Sequence, residues 1–160
     1  IQGCTTIIMV EPLAERRAVA TELGATHVID PASGDLATLL RGVVAEGVDF
    51  AFDTTGNVGV IEAGLASLGA HGAIGLVGVP KVLDAAISVN ITALMTPGLR
   101  IIGIIEGDSD PQTFIPELLA HHAAGRFPFD RLIKTFKLTE INEAIAAQAR
   151  GDCIKVVLIP

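Results

Sequence analysis

Glu11 is the side chain of this sequence with the most chemistry in reach. It ends the apolar run Thr5-Thr6-Ile7-Ile8-Met9-Val10 and is followed by Pro12. A run this rich in β-branched residues reads as a buried parallel strand. Pro12 suits the first position of a following helix, where its missing N–H would have no partner anyway. An acid at the tip of the second strand of a dinucleotide-binding fold accepts hydrogen bonds from the two hydroxyls of an adenosine ribose. The same charge repels a 2′-phosphate, so on this reading Glu11 selects NAD. A carboxylate in a helix's first turn is also favourable simply because it faces the positive end of the helix dipole. The local residues leave both roles open.

Two further strands end in small residues and glycine. Asp53-Thr54-Thr55-Gly56-Asn57 closes the strand Val48–Phe52, and Gly78-Val79-Pro80 closes the strand Ala73–Val77. Metal chemistry finds less support. His27, His71, His121 and His122 fall on separate predicted elements, and the adjacent pair points to different faces of its helix. Cys4 and Cys153 stand almost at opposite ends and read as small buried residues of a reducing compartment.

Strand and helix signals alternate from end to end, as in a parallel sheet covered by helices. Helical segments are expected from Pro12 to Leu23, across Leu36, Leu39, Leu40 and Val43, and across Ile61, Leu65 and Leu68. Two more carry Phe114, Leu118 and Leu119, and Ile141, Ala144 and Ile145. Short strands are expected at 26–29, 100–105 and 154–159. Alternation of Ile87, Val89 and Ile91 with smaller or polar residues predicts a half-exposed strand, and 134–138 predicts an edge strand. No repeat or linker interrupts the chain, which reads as one domain over 1–160.

Composition narrows the function. The chain is half hydrophobic, with 17 glycines and no Trp or Tyr, a mixture that suits an α/β fold with aliphatic strands and tight turns. A net charge of −7 without a Lys/Arg cluster argues against a nucleic-acid partner. Every apolar run is far shorter than a membrane span. A cytoplasmic protein is the expectation.

Several segments in one collinear order resemble the zinc-containing medium-chain alcohol dehydrogenases. They are the acid-ended strand before Glu15-Arg16-Arg17, residues 23–30, 47–56 and 77–80. Glu106-Gly107-Asp108-Ser109 and the tail, from Gly125-Arg126-Phe127-Pro128-Phe129-Asp130 to Gly151-Asp152-Cys153-Ile154-Lys155, look most like the aryl-alcohol (benzyl alcohol) branch. The resemblance implies a Rossmann-like, doubly wound parallel sheet lacking its first strand and its glycine-rich loop, since no G-x-G-x-x-G occurs. It also implies a zinc-bearing catalytic domain outside these residues. The missing strand would lie between those ending at Glu11 and Asp53, leaving two edges unpaired. The 160 residues alone are therefore expected to fold poorly, or to fold with the missing segment present in trans.

By the same resemblance, Glu11 binds the adenosine ribose and Arg16 lies beside it; a solvated helix face would account for Arg16 equally. Thr54 and Thr55 flank the adenine and the nicotinamide ribose, or merely cap a helix. Val77, Gly78 and Val79 supply backbone along the nicotinamide, as do Ile104, Ile105 and Glu106. In Glu106 the carboxylate departs from the family pattern. Lys155 meets the pyrophosphate without the bidentate fork of the usual Arg, or is simply exposed. No residue here is assigned to catalysis or to metal. The implied activity is hydride transfer between an alcohol and NAD in a homodimer or tetramer formed through the strand Arg100–Ile105. A zinc-free quinone oxidoreductase of the same superfamily and a non-catalytic nucleotide-sensing module are the rival readings. A methyltransferase is disfavoured by residues 77–80 and the tail.

Overall fold

The computed structural model describes all 160 residues. Its contacts divide into two compact units, Thr5–Ser109 and a smaller one made of residues 1–4 with Asp110–Pro160, where the sequence reads as a single domain.

The larger unit alternates strand and helix: β1 (Ile8–Val10), α1 (Ala14–Glu22), β2 (His27–Ile29), α2 (Leu36–Val43), β3 (Val48–Asp53), α3 (Val58–Ala66), β4 (Leu68–Leu76), α4 (Ile91–Met95) and β5 (Arg100–Gly103). All pairings are parallel. β1 pairs with β2 from Ile8↔His27 to Val10↔Ile29, and β3-β4-β5 form a second sheet. Thus β1 and β3 are each paired on one side, as the expected strand order requires. Ile61, Leu68 and Ile74 form the core of this unit, with Val48, Ala51, Leu65 and Ile101 packed around them. Burying such a side chain contributes about 1.5–3 kcal/mol. The other face of β3 is bare, with Phe50 and Phe52 72% and 64% exposed. These are alternate positions and so project from one side of the strand.

In the smaller unit, α5 (Pro111–Ala123) is followed by β6 (Ile133–Lys137), α6 (Ile141–Arg150) and β7 (Lys155–Ile159). β6 and β7 pair with each other in a separate two-stranded parallel sheet, so the strand expected at 134–138 forms at 133–137 with one partner, as an edge strand. No helix is long and apolar enough to cross a membrane.

Three local expectations change. α1 begins at Ala14 rather than at Pro12, because the Glu11 carboxylate takes the N–H of Leu13 and holds a turn there. Residues 87–90 form no strand: the Ser88 N–H donates to Glu62 Oε1, and Asn90 caps α4, whose first residue is Ile91. Leu68 belongs to β4, not α3, and the strand runs on through His71, which adopts a left-handed φ of 61°. There its N–H donates to Pro97 O at 2.7 Å.

Candidate cofactor site

The carboxyl ends of β1 and β2 carry matching acid–proline pairs, Glu11-Pro12 and Asp30-Pro31. The ladder extends one residue beyond β1, with Glu11 N donating to Ile29 O at 3.1 Å. The Glu11 side chain is only 13% exposed. Oε1 accepts from Leu13 N at 2.9 Å, while Oε2 stands 3.9 Å from Arg16 Nη1. One oxygen is therefore committed to the backbone, and the other meets a single loose cation. Arg16 is half-buried, and its Nε is buried without a hydrogen-bond partner. The structure thus brings the two predicted ribose residues together. It also recruits Arg17, which the sequence reading left unassigned. Its Nη1 donates to Glu11 O and Pro12 O, both at 2.7 Å, and its Nη2 pairs with Asp30 at 3.1 Å.

The ends of β3 and β4 are built differently. Asp53, 4% exposed, accepts from Thr55 N, Thr55 Oγ1 and Gly56 N at 3.1, 2.7 and 2.9 Å. Its carbonyl accepts from Val77 N and Gly78 N at 3.0 and 3.1 Å. One buried aspartate therefore organises both predicted nicotinamide-side segments. The sequence contained the signal, since an aspartate before Thr-Thr-Gly can form such a turn. Thr55 Oγ1 also accepts from Asn57 N, so its hydroxyl is spent on local structure; Thr54 is exposed. With their N–H groups on Asp53, Val77 and Gly78 have their carbonyls to offer a carboxamide. Val79 is 75% exposed beside them.

The two loops touch main chain to main chain. A Cβ on Gly78 would strike the backbone of Thr54, Thr55 and Gly56, and one on Gly56 would strike Val79 and Pro80. Gly56 also has φ 62°, where a side chain adds strain. Next to this junction lies a recess of about 350 Å³ bordered by Thr55, Asn57, Val58, Pro80, Lys81 and Val82. A larger recess of about 610 Å³ sits at the amino end of β4. There the Arg41 guanidinium is occupied by the carbonyls of Ala45, Ala66 and Leu68.

Beyond β5, Ile104 N still bonds Leu76 O at 3.0 Å, and Ile105 is 79% exposed. Glu106, Gly107 and Asp108 then run left-handed, with φ 49°, 70° and 49°. For Glu106 such a conformation costs about 1–2 kcal/mol, whereas Asp adopts it more readily. Asp108 N donates to Ile105 O and Ser109 Oγ to Glu106 O, which hold the turn. Lys155 begins β7 in the smaller unit and is exposed.

No three His, Cys, Asp or Glu side chains gather as a metal site in this chain. Three of the four histidines have local side-chain partners. His27 bonds Thr26; His121 accepts from Arg126; His122 Nδ1 lies 3.0 Å from Phe127 O and 3.6 Å from Asp130. Cys153 is buried as expected, but Cys4 is exposed.

The family model for zinc-binding dehydrogenases matches residues 1–121. Geraniol dehydrogenase of Castellaniella defragrans is 42% identical over 158 residues, 98% of this chain and 42% of that protein. Benzyl alcohol dehydrogenase from Acinetobacter calcoaceticus superposes with a TM-score of 0.93 at 35% identity, covering 98% of this chain and 43% of that one. A structure described as a zinc-binding dehydrogenase from Sinorhizobium meliloti, bound to NADP, gives 0.86 at 26% identity over 99% and 46%. The chain spans less than half the length of these relatives. The family model and these relatives agree: the chain belongs to the zinc-binding dehydrogenase family.

Proposed function

We propose that this chain is the NAD-binding part of a zinc-dependent alcohol dehydrogenase that oxidises aryl or allylic alcohols, the classes represented by its benzyl alcohol and geraniol relatives. The observation that carries the choice of NAD is Glu11. Its carboxylate sits at a strand end, largely buried, with one oxygen held by Leu13 N–H. A carboxylate so held suits a ribose diol and opposes a 2′-phosphate. Arg16, at 3.9 Å, limits that opposition, which keeps NADP as the second reading.

NAD, when bound, supplies the hydride acceptor. This chain's part is to bind and orient it. Glu11 takes the adenosine ribose, Thr54 and Thr55 border the cleft, and the main chain of Val77–Val79 and Ile104–Glu106 faces the carboxamide. Gly56 and Gly78 fit this role because they let two strand ends meet beside the recess with no side chain between them. The residues of this chain do not fit zinc, so no step through the metal is derived from them. The open edge of β5 supports pairing with a second copy, and a cytoplasmic homodimer or tetramer completes the reading.

Calorimetric titration of the full-length protein tests it. NAD should bind at least about tenfold tighter than NADP. In E11Q the preference should fall to near unity, since a hydrogen bond to a charged group contributes about 1.5–3 kcal/mol. Equal binding of both by the unaltered protein would overturn the assignment.

A further inference from the structure

We infer that Arg17 is a positioning residue for the ribose-binding carboxylate; the inference rests on the Glu11 reading above. Glu11-Pro12 leaves β1 and Asp30-Pro31 leaves β2, so two neighbouring strands end in the same chemistry. One guanidinium staples them. Nη1 donates to the carbonyls of Glu11 and Pro12 at 2.7 Å each, distances typical of charge-assisted bonds. Nη2 takes Asp30 Oδ2 at 3.1 Å. The Asp30 carboxylate is itself anchored, because Oδ1 accepts from Ala32 N at 2.9 Å. The Arg17 side chain is 19% exposed, so the staple is shielded more than a surface pair.

The division of labour between the two arginines follows from the atoms they touch. Arg16 faces the carboxylate of Glu11, whereas Arg17 grips its main chain. A ribose diol needs the carboxylate that accepts from it held in one orientation. The backbone on which that side chain pivots is held here before any ligand arrives. Holding it lowers the ordering cost of binding. Lysine could not replace the grip, since three partners at two nitrogens need the planar fork of arginine.

The test compares NAD with its analogue lacking the adenosine 2′-hydroxyl, titrated into the full-length protein. The ratio of the two Kd values reads the Glu11–diol contact alone, because general loss of structure weakens both ligands together. The unaltered protein should discriminate about 10- to 100-fold, the range for a hydrogen bond to a charged group. R17M should reduce the ratio about tenfold, and R17K should restore only part of it. Should R17M fold poorly, D30N leaves both carbonyl contacts in place and should lower the ratio by a smaller factor, about threefold. A ratio unchanged in R17M and D30N while E11A abolishes it would overturn the role of Arg17 and leave Glu11 standing. A ratio near one in the unaltered protein, or one that E11A does not move, would overturn the Glu11 reading and this inference with it.

Discussion

The two strand-end regions of the larger unit reach similar ends by opposite means. At β1–β2 the chain is held by side chains: the Arg17 fork, the Asp30 carboxylate and the Glu11 oxygen on Leu13. At β3–β4 it is held by main chain against main chain, with Asp53 bonding both loops and glycines at the points of contact. The first arrangement can be loosened one bond at a time. The second has no room for graded change, because packed backbone yields less readily than the far end of a side chain. Selectivity suits the first and a fixed cofactor floor the second.

The sharpest way to break this contrast is a single methyl group. G78A places a Cβ against the backbone of Thr54–Gly56 and should destabilise by about 3 kcal/mol, at the upper end for overpacking. Chemical denaturation reads this directly. A loss below about 1 kcal/mol would mean that the junction is as pliable as the other region. D53A should follow at about 2–3 kcal/mol, because the N–H groups of Thr55 and Gly56 and the Thr55 hydroxyl lose their acceptor. D53N, which keeps a side-chain oxygen, should recover part of that loss. On the other side, R16A should cost little stability. It should nevertheless increase the preference for NAD over NADP by several-fold, since removing a cation 3.9 Å away leaves the Glu11 charge unscreened. Competitive titration of the two cofactors measures it, and an unchanged preference would detach Arg16 from the site.

The smallest effect concerns the helix that follows β2. Asp35 caps α2; the Thr38 hydroxyl, and then the Thr38 N–H, hold its carboxyl below the ordinary value of 3.8. A depressed folded value means this stabilisation is present above 3.8 and is lost as pH falls through the lower folded value. D35N should change little near neutrality, since Asn caps about as well. It should flatten the acid limb of a stability–pH curve below 3.8. An acid limb identical in D35N would assign that limb to other carboxylates.

Much of this was legible in the residues. The acid–proline stops after β1 and β2 mark strand ends because proline cannot continue the ladder. Asn57, Asn90 and Asp110 are typical cap residues, and each accepts a backbone N–H at the start of its helix. The family resemblance placed Arg16 beside Glu11, and the two side chains stand 3.9 Å apart. The misreadings have physical causes. Ile87, Val89 and Ile91 alternate like a strand, but their backbone finds a Glu62 carboxylate instead of a ladder partner.

The sequence by itself determined the alternation of strand and helix, the places where strands stop, and the acid that ends the first of them. These follow from local covalent limits and side-chain periodicity, which act over a few residues. Only the tertiary structure decided which residues serve those that meet a ligand. Arg17 reaches Asp30, and Asp53 reaches Val77 and Gly78, across stretches of chain that no local rule connects. The same distance dependence separates β6 and β7 from the main sheet, since a strand's partner is settled by where the chain returns and not by the strand's own residues.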